Sequence, residues 1–288
     1  MEKSHENRPS GQTGWERERR THFDEITVEY DKIRWDYPDE LFKDALEYCG
    51  AGDNAGKKAI EIGAGTGKAT APFLDAGYVV TAVEMGENMS AFLLDKYREY
   101  SNFNVITSTF EDVELNEDSY DMVYAASAFH WVDAETGCPK VFRLLKSGGA
   151  FVLFRSNWSS HDNEALAAEL RGVYDKHYYN YYNSDIAREK PVKHTLETMN
   201  KPSEIFKSFR FESMEQYGFI DTKMYLYDRM HTYNTEGHIK LLDTFSDHRA
   251  LPDENREKLY KEVGKAIDKH GGQIQTNNTY QLYMGRKP

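Results

Sequence analysis

Five short apolar runs, at 58–62, 78–84, 103–107, 120–126 and 149–155, alternate with helical stretches near 68–76, 88–99 and 136–145. Strands separated by helices cannot pair as hairpins. They pair in parallel, and the intervening helices cover both faces of the sheet. The pattern therefore predicts an α/β fold. The alternation stops after Phe154, and 63 residues, 155 to 217, separate it from the next strand-like run, Gly218–Tyr227. A crossover needs only about a dozen residues, so most of this stretch is expected to be an insertion. It holds a helical pattern over Leu166, Leu170, Val173, Tyr174 and His177, then the aromatic run "YDKHYYNYYN". Helices near 235–246 and 252–270 and a last strand at 278–286 complete the chain.

Upstream, Phe23, Ile26, Tyr30, Ile33 and Tyr37 recur at helical spacing. Pro38 marks a break before a second helix near 39–49, and "GAGDNAG" is a loop. The expected organisation is a mobile polar tail over 1–20, a main domain built from 21–155 and 218–288, and a helical cap over 156–217.

The first strand carries an oddity, "AIEIGAGTG". A carboxylate, Glu61, sits between two isoleucines of a buried strand, where charge is costly unless paired. Gly63, Gly65 and Gly67 follow at alternate positions. The dinucleotide fingerprint G-x-G-x-x-G does not fit, because residue 68 is Lys. The phosphate loop needs G-K-[ST], and Ala69 follows Lys68. Glycines at that spacing let the backbone approach a ligand closely, or simply make a tight turn.

Charge narrows the partners. Across 288 residues, 36 Lys+Arg stand against 48 Asp+Glu, a net charge of −12. A nucleic-acid backbone binder needs a basic face, so no nucleic-acid partner is expected. No apolar run approaches the roughly 18 residues of a membrane span, so no membrane association is expected either. The first twenty residues have no apolar core and do not read as a secretory signal. The two cysteines, Cys49 and Cys138, show neither metal spacing nor a disulfide framework. A cytoplasmic protein without a metal, monomeric or homodimeric, is expected.

The strand-borne E-x-G-x-G-x-G resembles motif I of the S-adenosylmethionine-dependent class I methyltransferases, which have a Rossmann-like fold. Four further stretches resemble that family in the correct order. "VVTAVEMGENM" ends a strand at Glu84, seventeen residues beyond Gly67; an acid there accepts the ribose hydroxyls in the family. "TSTFEDVEL" puts Phe110 and Glu111 where the family brackets adenine, but Thr109 stands where the family often has Asp. "AFHWV", at 128–132, resembles a small-molecule branch that includes the trans-aconitate type. "LLKSGGAFVLF" resembles the family's L-K-P-G-G, with Ser147 replacing Pro. The entry segment matches that branch at Tyr30, Arg34, Tyr37 and Pro38.

The resemblance implies a seven-stranded sheet in the order 3-2-1-4-5-7-6 with the last strand antiparallel. It implies S-adenosyl-L-methionine as cofactor, held by Tyr30, Arg34, Glu61, Gly63, Ala64, Gly65, Thr66, Gly67, Glu84, Met85, Met89, Thr109, Phe110, Glu111 and Ala126. His130, at the mouth of the fourth strand, is either a general base or a neutral imidazole packed on Trp131. Trp131, Trp158, Tyr178, Tyr181 and Tyr182 are expected to line an acceptor pocket, although such a tyrosine run can equally be a packed helix face. Three functions stay open: methylation of a small molecule, methylation of protein or nucleic acid, and cofactor binding without catalysis. The chemistry itself asks mainly for positioning, worth about 7–11 kcal/mol.

Overall fold

In the computed structural model, the described residues are 23–50, 52, 54–159, 163–182 and 213–288, with backbone alone at 158, 159 and 213. The tail expected over 1–20 and most of the expected cap, 183–212, lie outside them. The described residues form two compact units. One holds 23–157, 213–229 and 278–288; the other holds 158–182 and 230–277.

The first unit is built on a seven-stranded mixed sheet of order β3-β2-β1-β4-β5-β7-β6. Its strands are β1 (Lys58–Ile62), β2 (Val79–Glu84), β3 (Phe103–Thr107), β4 (Tyr120–Ala126), β5 (Leu145–Ser159), β6 (Ile220–Asn234) and β7 (Gln273–Arg286). The first five pair in parallel. The last runs against them: Gly148 at the start of β5 donates to the Lys287 carbonyl, just past the end of β7, and Lys287 N–H donates back to the Gly149 carbonyl. β5, β6 and β7 each contribute residues to both units.

Both faces of β1 are buried, which explains its continuous apolar pattern. Ala59 packs on one face with Leu41, Phe42, Phe73, Tyr124 and Phe154. Ile60 and Ile62 pack on the other with Phe110, Phe129, Val141 and Phe151. The helices follow from the same requirement. α1 (Thr27–Ile33) is followed by α2 (Asp39–Tyr48), which Pro38 opens and whose Leu41, Phe42, Ala45 and Tyr48 are buried. α3 (Thr70–Asp75), α4 (Glu87–Lys96) and α5 (Ala134–Leu144) make the crossovers.

The second unit has its own core. α6 (Glu164–Tyr174) runs into a wide helical turn, Asp175–Tyr179, and then Asn180–Tyr182. Leu166, Leu170, Tyr178 and Tyr182 pack there with Leu242 of α7 (Thr235–Leu242) and with Leu259, Val263 and Ile267 of α8 (Asp253–Lys269). No described helix is long and apolar enough to cross a membrane.

Candidate functional site

The loop after β1 lies at the carboxyl ends of the parallel strands, where ligands bind in open α/β sheets. Gly63, Gly65 and Gly67 have φ of 61°, 59° and 76°, a region costly to residues with a Cβ. They are glycines for different reasons. A Cβ on Gly63 would stand 2.7 Å from the Ala128 Cβ, and one on Gly67 would stand 2.6 Å from the Tyr97 ring. Those two sites are closed by packing. At Gly65 the nearest atom would be Met89 Sδ at 4.0 Å, so only there does the loop present open backbone. Of the two reasons the sequence left open for these glycines, packing in a tight turn accounts for Gly63 and Gly67, while Gly65 has room beside it for a ligand. Lys96 secures the loop by donating to the Thr66 carbonyl at 2.9 Å, and Tyr97 donates to the Gly67 carbonyl at 2.6 Å.

Two buried carboxylates bracket this loop. Glu61 is paired in register with Tyr124 of β4. Its Oε2 accepts from the Thr70 hydroxyl at 2.6 Å and the Tyr124 hydroxyl at 2.9 Å. Its Oε1 is buried without a hydrogen-bond partner. Burial pushes the Glu61 carboxyl up to about 7, against those two hydrogen bonds. Glu84, at the end of β2, accepts from Gly65 N–H at 2.7 Å and Gly86 N–H at 2.9 Å. Burial raises its pKa, while the backbone N–H groups pull it down.

The residue that orders the far side of this acid was not visible from the sequence. Asp24 accepts from Met89 N–H at 2.8 Å in the first turn of α4, and a Cβ on Gly86 would collide with it at 2.4 Å. Asp31 pairs with Lys96 at 2.9 Å and Asp36 with Lys68 at 2.9 Å. Residues 23–37 are thus held against the glycine loop and α4. The Arg34 guanidinium lies 5.1 Å from the Tyr30 ring centre. Phe23 contacts both Tyr30 and Trp131, edge to face. Met85 is partly buried and Met89 is buried.

At the end of β3, Ser108 N–H donates to the Glu84 carbonyl at 3.0 Å, which brings the next turn beside that acid. Thr109 does not offer its hydroxyl outward: it donates to Asp112 at 2.6 Å and accepts the Asp112 N–H. Phe110 is buried, with the Lys140 ammonium 5.1 Å from its ring centre. Lys140 also donates to the carbonyls of Glu111 and Val113.

β4 runs out through Ala126 into Ser127, whose φ is 53° and whose hydroxyl accepts from Tyr37 at 2.7 Å. A turn of helix, Phe129–Trp131, follows. A cavity of about 30 Å³ opens there, lined among others by Ser127, His130, Phe154, Arg155 and Tyr283. Ala128 also lines it and is the residue that closes on Gly63, so the cavity abuts the glycine loop. Burial, with Arg155 adding to it, pushes His130 down to about 3, so the imidazole is neutral at neutral pH. It sits 5.0 Å from the Trp131 ring. Arg155 and Tyr283 were missed from the sequence.

The tyrosines expected to wall an acceptor pocket are spent on packing instead. Tyr178 and Tyr182 lie in the core of the second unit. The Tyr178 hydroxyl donates to the buried Asp247 carboxylate, and the Tyr182 hydroxyl donates to the Asp247 carbonyl. Tyr181 packs edge to face on Tyr182. A helix face that must be buried explains this run better than a ligand does. Trp158 lies on β5 with its side chain outside the described residues.

The residues present fit S-adenosylmethionine. Glu61 Oε1 and Thr66 Oγ1 are buried polar atoms without partners, Gly65 leaves backbone open, and each Glu84 oxygen keeps a lone pair beside its backbone donor. Comparison with known proteins agrees. The family model described as a methyltransferase domain matches residues 60–153. An uncharacterized methyltransferase of Schizosaccharomyces pombe is 24% identical over 242 residues, covering 83% of this chain and 84% of its own. One of Mycobacterium tuberculosis is 33% identical over 134 residues, 46% of this chain and 50% of its own. Among solved structures, phosphoethanolamine N-methyltransferase 2 of Haemonchus contortus superposes with a TM-score of 0.52 at 15% identity. That match covers 94% of this chain and 59% of the Haemonchus chain, and at such identity it speaks for the fold alone. Fold, domain match and relatives converge: over residues 60–153 the chain carries a methyltransferase domain, of the S-adenosylmethionine-dependent class I type.

Proposed function

We propose that this protein transfers a methyl group from S-adenosylmethionine to a small-molecule acceptor. The observation that carries the reading is the pair of buried carboxylates flanking open backbone at Gly65. Bound there, the cofactor supplies an electrophilic methyl on a sulfonium. Glu61 Oε1 is the acceptor for its ammonium, and Glu84 for its ribose hydroxyls. Thr66, Ala64, Gly63 and Gly67 shape the loop; Met85, Met89, Phe110 and Glu111 flank the base. Thr109 keeps its hydroxyl on Asp112, so any base contact from this turn falls to Glu111 or to backbone. Tyr30 and Arg34, on the segment latched by Asp24, Asp31 and Asp36, close the site against water. Ala126 and His130 face the acceptor side.

A small acceptor suits the net charge of −12, which repels a polyanion, and the narrow cavity beside Ala128. The two free cysteines, Cys49 and Cys138, suit a reducing cytosol. Incubating the protein with methyl-labelled S-adenosylmethionine and a metabolite panel tests the activity. Label entering a small molecule supports it; cofactor binding with label in none, or only in added protein or nucleic acid, overturns it.

A further inference from the structure

Lys96 ends α4, and its ammonium joins two parts of the cofactor site that lie far apart in sequence. It donates to the Asp31 carboxylate of α1 at 2.9 Å and to the Thr66 carbonyl of the glycine loop at 2.9 Å. Both partners lie in the first unit. The rings of Phe92, one turn earlier on α4, and of Tyr97 flank the ammonium at 5.6 and 5.7 Å. The Thr66 carbonyl shares a rigid peptide plane with Gly67 N–H. That N–H donates to the Ala64 carbonyl at 2.9 Å and so closes the turn whose central residues are Gly65 and Thr66. Holding the Thr66 carbonyl therefore holds the turn that presents open backbone at Gly65. Tyr97 takes the next carbonyl, that of Gly67.

The three aspartates that tie down the entry segment are not equivalent. The Asp36 side chain is 83% exposed, and an ion pair in water contributes little. Asp24 grips the Met89 backbone, outside the glycine loop. Asp31 is 24% exposed and pairs with a cation whose second acceptor is the loop itself. Movement of α1 thus removes one of the two acceptors that orient this ammonium, and the other is the Thr66 carbonyl.

The same charge acts on Glu61. Burial raises that acid and the Glu84 carboxylate of β2 adds to the rise. The hydroxyls of Thr70 from α3 and Tyr124 from β4, and the Lys96 charge from α4, oppose it. Tyr97 is a further titratable group that feels Glu61.

We propose that Lys96 is a positioning residue for the methyl donor, which couples the entry segment to the glycine loop by tying Asp31 to the Thr66 carbonyl. The proposal rests on the methyltransferase reading above and adds to it a residue that acts through the loop.

The test uses the full chain and S-adenosylhomocysteine, with affinity read by calorimetry across the neutral pH range and loop order read by amide exchange. Lys96→Met keeps the aliphatic stem and removes the charge, so it should weaken the ligand about tenfold at pH 8. The rise of affinity with pH, which follows ionisation of Glu61, should move to higher pH, because a cation that favoured the carboxylate is gone. Lys96→Arg should restore most of both. Asp31→Asn should weaken the ligand about threefold. Added to Lys96→Met it should bring no further loss, since both act through one contact. Gly67 N–H should exchange faster in either single variant. A role confined to stabilising α4 would shift unfolding but not the pH profile. Lys96→Met affinity within about twofold of the natural chain, an unmoved pH profile, or losses that multiply in the double variant overturn the proposal. Should Lys96→Met fail to fold, Asp31→Asn decides: unchanged affinity with unchanged exchange at Gly67 overturns it, and weaker binding with faster exchange supports it. Failure of the natural chain to bind S-adenosylhomocysteine would instead strike the methyltransferase reading, so the two failures are distinguishable.

Discussion

Replacing Glu61 by Gln separates what this acid does for the fold from what it does for the ligand. The carboxyl is 1% exposed and its pKa rises from the ordinary 4.5 to about 7. At about 1.4 kcal/mol per tenfold change in the proton equilibrium, ionising it inside the fold costs roughly 3 kcal/mol. The sign follows from linkage. An acid whose pKa is raised on folding binds more protons folded than unfolded between 4.5 and about 7, so this group's contribution to stability falls as pH rises through that window. Glutamine cannot ionise, and it can still accept from Thr70 and Tyr124. The stability of Glu61→Gln minus that of the natural chain should therefore grow by about 2–3 kcal/mol between pH 5 and pH 8.5. Urea unfolding at closely spaced pH values measures it, and subtracting the two curves removes other titrating groups. Over the same range S-adenosylhomocysteine affinity should rise with pH in the natural chain, because the ligand's ammonium requires the ionised acid. In the variant it should be weaker at pH 8 by about 1.5–3 kcal/mol, the usual loss for hydrogen bonds to charged groups. A pH-independent difference in stability would show that Glu61 is not held near 7 by burial. Unchanged affinity would show that its Oε1 does not meet the ligand.

Three more outcomes follow from the same geometry. Gly65→Ala should cost about 1–2 kcal/mol for its φ of 59° but cripple S-adenosylhomocysteine binding, whereas Gly63→Ala should lose a further 1–3 kcal/mol of stability to the collision with Ala128, both read by unfolding and calorimetry. Glu84→Ala should weaken the same ligand by about 1–3 kcal/mol and loosen Gly65 and Gly86, seen as faster amide exchange at both. Tyr178→Phe leaves the buried Asp247 short of a donor, so it should destabilise the second unit by about 1–3 kcal/mol without changing acceptor turnover; a raised acceptor KM would restore Tyr178 to the pocket.

Alternating apolar and helical stretches located the strands because a parallel strand is buried on both faces and shows it. The expected spans for β1, β3 and β4 coincide with those observed, and β2 starts one residue later at Val79. The longer strands were only half visible. Lys146–Gly149 reads as a turn, yet it extends β5 because Gly148 and Gly149 exchange backbone bonds with Lys287. β6 continues to Asn234 through Asp228, Arg229 and His231, where no apolar pattern marks it. In the site, Glu61 and Glu84 stood out because carboxylates in or at the end of buried strands need a reason. Asp24 did not, since its bond to Met89 spans 65 residues. Arg155 and Tyr283 sit on no motif. They meet because β7, last in sequence, inserts beside β5.

The state of His130 bears on the reaction itself. A free imidazole near 6.5 would suit a general base. Held near 3, it cannot retain a proton taken from an acceptor at neutral pH. Burial and the adjoining Arg155 cause the depression. The acceptor therefore meets a neutral imidazole that offers hydrogen bonds and little basicity, so it should bring a lone pair that needs no deprotonation at neutral pH, and turnover should not fall as pH drops from 8 to 6 on account of His130.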